Sequence, residues 1–120
     1  ICRRLELHGT IDKNYKQSVL DRENFGSTAL KSGAAIPHGN IEFVKKTCVY
    51  FYISKTPIIW DNDRVYIIIL ISINREDKKY IKNILRSILE LVENSKNIMD
   101  LKNCKDTLSI IRYIEGVLND

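Results

Sequence analysis

The pattern of apolar and polar positions along this 120-residue chain predicts a central β-sheet flanked by helices. The run over residues 65–73 is almost entirely apolar, which is typical of a central strand covered on both faces. A second run, over residues 47–54, is rich in β-branched and aromatic side chains and predicts another strand. Two shorter strands are expected over residues 28–31 and 34–36.

The C-terminal part of the chain predicts two helices. Asp77 is expected to cap the first, whose apolar positions recur at helical spacing: Ile81, Ile84, Leu85, Ile88, Leu89 and Val92. Asp106 or Thr107 is expected to cap the second, whose apolar positions are Leu108, Ile111, Ile114 and Leu118. Between these helices, Ser95 is expected to open a short turn that extends to Leu101.

The N-terminal part predicts two further helices. Residues 1–8 end at Gly9, a typical residue for a helix C-terminus, and Asp12 is a candidate N-cap for a helix that runs to about Asn24. The positions expected on the buried side of the second helix are Ile11, Tyr15, Val19 and Leu20. Helices at both ends with strands between them predict an α/β fold, with a mixed β-sheet sandwiched between helices in a single domain over residues 1–120.

Composition narrows the function classes. The apolar fraction of 44% and the charged fraction of 28% are ordinary for a globular domain, and no apolar run reaches the roughly 18 residues that span a bilayer. The net charge of +4 comes from lysines that are interleaved with carboxylates, which indicates a solvated mixed surface. We therefore expect no direct contact of this domain with nucleic acid and no membrane insertion.

The cysteines and the first residue indicate the context of the domain. The three cysteines are widely spaced without a C-x-x-C pair, which favours free thiols in a reducing cytoplasm over disulfides or a zinc site. The chain begins with Ile1 and has its sole methionine at Met99. We therefore expect it to be part of a longer multidomain protein.

The segment around His38 is the strongest candidate for chemistry. Pro37 fixes its own φ angle and biases the residue before it toward extended geometry, while Gly39 lets the chain turn without a Cβ penalty. His38 should therefore project from a rigid rim. Arg22 and Thr28 lie upstream and are of the types that bind phosphoryl oxygens, so the residues alone predict a phosphoaccepting histidine.

These residues carry a resemblance to a known family. The pattern R-E-x-x-G-S-T, which begins at Arg22, followed by A-I-P-H-G resembles the IIA domains of the bacterial sugar phosphotransferase system, of the fructose–mannitol type. The resemblance implies that His38 accepts a phosphoryl group from the phosphocarrier protein HPr or a IIB protein, and that the domain is a phosphohistidine transfer intermediate without a small-molecule cofactor. Arg22 and Thr28 match the motif residues, and Ser27 and Gly39 are expected to help to bind the phosphoryl group.

One departure from that family concerns a second histidine, which usually opens the helix after the central strand. Tyr80 lies near the matching position here, and the only other histidine is His8, close to the N-terminus. A tyrosine can donate a hydrogen bond to a phosphoryl group, but it carries no positive charge at neutral pH. The loss favours slow, signalling use of the phosphoryl group over rapid onward transfer.

A second resemblance supports a regulatory role. The segment over residues 56–65, with Pro57 and Trp60, looks like the IIA-like domain at the C-terminal end of sugar-responsive regulators and antiterminators that contain phosphotransferase regulation domains. Pro57 and Trp60 are expected to shape a hairpin-like turn and to bury the indole. The leading hypothesis is a regulatory domain that other domains of the same chain read. A transporter component that passes phosphate to IIB, and a binding module that has lost phosphorylation, are the alternatives.

Overall fold

The central strand of the sheet is the apolar run that the sequence places there. In the computed structural model, which describes residues 1–118, this strand is β3, Asp63–Ser72. It lies between β1, Ala34–Ala35, and β2, Cys48–Trp60, in the order β1-β3-β2. β1 is parallel to β3 and β2 is antiparallel to it, so the predicted mixed sheet is confirmed. The last two residues of the predicted domain lie outside the described part.

Helices cover both faces of this sheet because the side chains of β3 alternate between them. The helices are α1, Cys2–Leu7; α2, Tyr15–Phe25; α3, Ile81–Val92; α4, Ser95–Lys102; and α5, Thr107–Leu118. Ile67, Ile69 and Ile71 pack in one cluster with α3, α4 and α5. Leu70 packs in another cluster, on the opposite face, with Leu5 of α1 and with α2. The predicted sandwich of helices around the sheet is therefore confirmed, and no helix in residues 1–118 is long and apolar enough to cross a bilayer.

The expected strand over residues 28–31 is wrong. Only one antiparallel bridge forms there, between Ala29 and Ala35. The Leu30 N–H donates to the carbonyl of Ala34 at 2.7 Å, so the chain reverses direction immediately and leaves no room for a longer ladder.

The hairpin between β2 and β3 lies further along the chain than expected. β2 continues past residue 54 through an irregularity between Ile53 and Ile58, and Trp60 still pairs with Asp63. The turn itself is formed by Asp61 and Asn62, and Asp61 adopts a positive φ of 57°. Trp60 therefore belongs to the strand, with a partly buried side chain, and does not form the turn.

Two helix boundaries also differ from the expectation. The segment after Ser95 is a two-turn helix because the Asn94 side chain accepts the Lys96 N–H at 2.9 Å and caps its N-terminus. A 3₁₀ helix, Lys78–Tyr80, precedes α3, and Asp77 makes no capping hydrogen bond. The carboxylate of Asp77 instead accepts the hydroxyl of Thr47. Asp106 caps α5 as expected, since it accepts the Ser109 N–H at 2.8 Å.

Candidate phosphoryl-acceptor site

The backbone of His38 is fixed against the central strand. His38 forms a parallel bridge with Ile71, and the Ile71 N–H donates to the carbonyl of Pro37 at 3.1 Å. Pro37 is buried, whereas His38 is partly exposed. The histidine is thus held at the rim of the sheet, as the P-H-G motif predicts.

The imidazole ring of His38 has one nitrogen engaged and one available. Nδ1 lies 3.2 Å from the carbonyl oxygen of Ile36. A carbonyl can only accept, so in the neutral ring Nδ1 carries the proton and donates it to Ile36. Nε2 then keeps its lone pair and is the nucleophilic nitrogen, a choice that the sequence left open.

A small apolar cavity of about 120 Å³ lies beside this ring. It is lined by Ile71 of β3, by Ile73 just after that strand, and by Ile81 and Leu85 of α3. Apart from His38, the side chains that line the cavity are aliphatic, and they surround the ring with a low-dielectric rim.

Gly39 allows the chain to pass unusually close to α2. A Cβ atom built on Gly39 would lie 2.4 Å from Ser18 Oγ and 2.9 Å from Val19 Cγ2, so no other residue fits without a shift. The Gly39 N–H already donates to the hydroxyl of Tyr15 at 3.0 Å. In this structure Gly39 therefore contributes close packing, and its amide is engaged within the protein.

Arg22 lies on the same stretch of α2, one turn after Ser18. Ser18 Oγ accepts the N–H of Asn40 at 2.9 Å, which places this side of the helix next to the turn that follows His38. Residues four apart on a helix have Cβ atoms about 5–6 Å from each other. The exposed guanidinium of Arg22 makes one hydrogen bond, 3.1 Å to the carbonyl of Gly26, and its remaining donors are open to a ligand.

Glu23 organises the rest of the R-E-x-x-G-S-T motif. Its carboxylate accepts both the N–H and the hydroxyl of Thr28, and it also accepts the indole N–H of Trp60 at 3.1 Å. The predicted phosphate contact Thr28 is buried and committed to Glu23, while Ser27 Oγ accepts the Ala29 N–H at 3.1 Å. Sequence reasoning missed Glu23. The only available signal was its fixed place between Arg22 and Thr28 in the motif.

Tyr80 ends the 3₁₀ helix and lies next to the His38 cavity without lining it. Its side chain is exposed and faces a neighbouring groove together with Phe51 and Ile84, and the ammonium of Lys79 lies 5.2 Å from the centre of its ring. The following residue, Ile81, is the one that reaches the cavity. The structure thus brings His38 and Gly39 together, keeps Arg22 on the adjacent helix, and leaves Tyr80 one residue away from the cavity wall.

The described residues hold no set of side chains that could bind a metal ion. Within residues 1–118 no group of three or more His, Cys, Asp or Glu side chains is arranged to hold a metal ion.

Comparison with known proteins identifies relatives of two kinds. "Transcriptional regulator ManR" of Bacillus subtilis (strain 168) is 25% identical over 107 residues, which cover 89% of this chain and 16% of the regulator. The "PTS system mannitol-specific EIICBA component" of Buchnera aphidicola subsp. Baizongia pistaciae (strain Bp) is 29% identical over 122 residues, which cover 98% of this chain and 18% of that protein. The chain therefore spans less than a fifth of either relative.

Solved structures have the same fold. IIA mannitol from Escherichia coli superposes with a TM-score of 0.76 at 23% identity, over 93% of this chain and 82% of that one. A chain of the "Complex of enzyme IIAMTL and phosphorylated enzyme IIBMTL from Escherichia coli" gives a TM-score of 0.79 at 22% identity, over 95% of this chain and 81% of that one. The sequence model described as "Phosphoenolpyruvate-dependent sugar phosphotransferase system, EIIA 2" matches residues 1–117. This match covers nearly the whole chain and confirms the resemblance, so the protein belongs to the type 2 EIIA family of the sugar phosphotransferase system.

Proposed function

We propose that this domain accepts a phosphoryl group on Nε2 of His38 and serves as the regulatory IIA-like domain of a longer, cytoplasmic, sugar-responsive transcriptional regulator. The phosphoryl donor in this proposal is HPr or a IIB protein, and other domains of the same chain read the phosphorylated state. The observation that carries the proposal is the His38 ring, whose Nδ1 is engaged by the Ile36 carbonyl while Nε2 is left free at the rim of the sheet.

The transfer step is an in-line displacement. The Nε2 lone pair forms the new N–P bond while the P–N bond of the donor phosphohistidine, or the P–S bond of a phosphocysteine, breaks and returns its electron pair to the donor. Nδ1 of His38 keeps its proton and its hydrogen bond to Ile36 throughout. Arg22 binds the phosphoryl oxygens after its single hydrogen bond to Gly26 is exchanged for them.

The surroundings of His38 support a signalling use of the phosphoryl group. Phosphorylation places about −1.5 to −2 charges where a neutral ring stood before. Ile81 and Leu85 line the cavity beside His38, and their aliphatic side chains cannot donate to the phosphoryl oxygens. A neighbouring domain that binds the two charge states with different affinity would convert phosphorylation into a switch. The similarity to ManR supports the same reading.

The test is the intact mass of the domain after incubation with phosphoenolpyruvate, enzyme I and HPr. We expect one added phosphoryl group on the parent and none on His38→Ala. His8→Ala is the matched control, because His8 is the only other histidine and is exposed. Absence of added mass on the parent, with HPr shown to be phosphorylated, would refute HPr as the donor, and the same result with a phosphorylated IIB would refute the acceptor function.

The second candidate is the IIA component of a mannitol-type transporter, which the similarity to the EIICBA component favours. A transporter component must pass its phosphoryl group onward to IIB many times each second, whereas a regulatory domain need not. Single-turnover transfer from the phosphorylated domain to a IIB domain distinguishes the two. Transfer that is complete within milliseconds would favour the transporter, and transfer over minutes would favour the regulator.

A further inference from the structure

The hydroxyl of Tyr15 is buried at the back of the His38 site. Tyr15 is only 1% exposed. Its hydroxyl accepts the N–H of Gly39 at 3.0 Å and donates to the carbonyl of Ile71 at 2.8 Å. One of these partners follows His38 in the chain, and the other is its bridge partner on β3. The Tyr15 hydroxyl therefore joins the two backbone segments that hold the phosphoryl acceptor.

Ser18 extends this arrangement by one residue. Its hydroxyl accepts the N–H of Asn40 at 2.9 Å and donates to the Tyr15 carbonyl at 2.6 Å. The backbone N–H groups of Gly39 and Asn40 thus both donate to side-chain hydroxyls of α2, and neither of these hydrogen bonds belongs to the sheet. The turn after the acceptor is bound to the helix entirely by side-chain oxygens.

We propose that Tyr15 is a positioning residue for phosphoryl transfer, whose hydroxyl holds the His38 backbone so that Nδ1 stays on the Ile36 carbonyl and Nε2 points outward. The part of this inference that concerns transfer rests on the proposed function of His38. The part that concerns the ring does not, because the tautomer of His38 exists with or without a donor protein.

The hydroxyl, and not the aromatic ring, carries this role. The ring of Tyr15 packs in the cluster formed by Leu5, Val19 and Leu70, and phenylalanine would keep that packing. Loss of the oxygen alone would leave the Gly39 N–H and the Ile71 carbonyl without their partner. Gly39 has little space to move toward α2, since even a Cβ built on it would lie 2.4 Å from Ser18 Oγ and 2.9 Å from Val19 Cγ2. The turn would therefore relax away from the helix and carry His38 with it.

Small displacements of a nucleophile have large effects on transfer. A misplacement of about 1 Å can lower the rate of an in-line reaction by about 10²-fold, whereas docking of the donor depends on the whole surface. A positioning role therefore predicts a lower maximal rate of phosphorylation with an unchanged half-saturating concentration of donor. A purely structural role would lower the melting temperature without this selective effect.

The first measurement is the ring state of His38 by long-range ¹H–¹⁵N NMR, which distinguishes the two neutral tautomers from each other and from the protonated ring. We expect the parent to show one tautomer, with the proton on Nδ1, and Tyr15→Phe to show a mixture of both tautomers. Tyr50→Phe is the matched control, because Tyr50 packs against the same cluster but its hydroxyl only accepts from Arg4, at 3.1 Å near the surface. The His38 spectrum of Tyr50→Phe should equal that of the parent.

The second measurement is the rate of phosphorylation by phosphorylated HPr. Tyr15→Phe should lower the maximal rate at least tenfold with the same half-saturating HPr concentration, and Tyr50→Phe should change neither. If Tyr15→Phe does not fold, Ser18→Ala replaces it, with the same direction of effect expected. A parental tautomer in a folded Tyr15→Phe or Ser18→Ala variant would overturn the inference. Lack of phosphorylation of the parent by phosphorylated HPr would instead refute HPr as the donor, and by phosphorylated IIB as well would refute the acceptor function. In both cases the spectra would still decide the role of Tyr15.

Discussion

Replacement of Gly39 by alanine tests the close approach to α2 of the turn that follows His38, called the acceptor turn below. The new Cβ would lie 2.4 Å from Ser18 Oγ, 2.9 Å from Val19 Cγ2 and 3.0 Å from Tyr15 Cε1. The φ angle of Gly39 is not in the left-handed region, so the cost comes from crowding and not from backbone strain. Overpacking of a rigid site costs about 1–3 kcal/mol.

A movement of the turn that relieves this crowding would also lower the stability of the fold. If the turn withdraws from α2, it stretches the hydrogen bonds from Gly39 to Tyr15 and from Asn40 to Ser18, each with a net contribution of about 1 kcal/mol. We therefore expect Gly39→Ala to lower the free energy of unfolding by about 2–4 kcal/mol. For an m value of about 1.5 kcal/mol/M, this is a fall of roughly 1.3–2.7 M in the urea midpoint.

Gly116→Ala is the matched control for this change. Gly116 lies in α5, and a Cβ built there meets no atom within 4 Å. The same substitution should therefore stabilise the protein by about 0.5–1 kcal/mol, because alanine favours the helix over glycine. Opposite signs for the two variants would exclude a general effect of glycine replacement.

The double variant with Ser18→Ala provides a second check. Loss of Ser18 Oγ removes the shortest contact of the new Cβ, so Gly39→Ala should cost less in this background than alone. A free energy of unfolding for Gly39→Ala within about 0.5 kcal/mol of the parent would refute the close approach, since surface changes typically fall in that range. Full additivity with Ser18→Ala would refute the contact between the two residues.

Three further predictions follow from contacts outside the acceptor turn. Glu23→Ala should lower the free energy of unfolding by about 1–3 kcal/mol and shift the emission of Trp60, the sole tryptophan, because it removes the carboxylate that accepts the indole N–H; urea titration and fluorescence measure both effects, and an unchanged spectrum would contradict the contact. Burial, with the neighbouring Asp100, raises the pKa of Tyr113 to about 12, so the stability that depends on its protonated hydroxyl is complete below pH 10 and is lost as the pH rises toward 12. The melting temperature of Tyr113→Phe should therefore fall less than that of the parent between pH 10 and 12, and parallel curves would disprove this. Burial also raises the thiol pKa of Cys2 and of Cys48, so iodoacetamide at pH 8 should label both more slowly than it labels free cysteine, as peptide mass spectrometry can show; equal rates would contradict their burial.

The fold could be predicted because its main elements are encoded locally. The apolar block that becomes β3 has no polar face, which only a strand covered on both sides tolerates, and α3 shows its buried positions at helical spacing. The P-H-G motif fixes the backbone of His38 through proline and glycine, so its place at the rim of the sheet also followed from the sequence. These features depend on neighbouring residues and need no knowledge of distant contacts.

The features that could not be predicted depend on residues far apart in the chain. The extension of β2 past residue 54 places Trp60 against Glu23, 37 positions earlier, and no local pattern indicates that contact. The helical spacing of Tyr15 predicts a core position, which is correct for its ring, yet Ile71, whose carbonyl accepts from its hydroxyl, lies 56 positions away. Polar groups of buried side chains are the part of a site that sequence periodicity describes least well, because periodicity reports which face is buried and not what that face must bind.

The cavity beside His38 bears most directly on how a phosphoryl group would be used here. Ile81 and Leu85 line it with aliphatic side chains, which offer no hydrogen-bond donor, and Tyr80 faces a different groove. In the function proposed here, the phosphoryl oxygens would be bound by Arg22 and by water on the open side of the site, because an anion that faces aliphatic side chains loses its solvation without compensation. Such a group points outward, where a docked domain can contact its charge directly. An outward-facing, weakly assisted phosphohistidine suits a domain whose phosphorylation state is read, more than one that must release its phosphoryl group at each turnover.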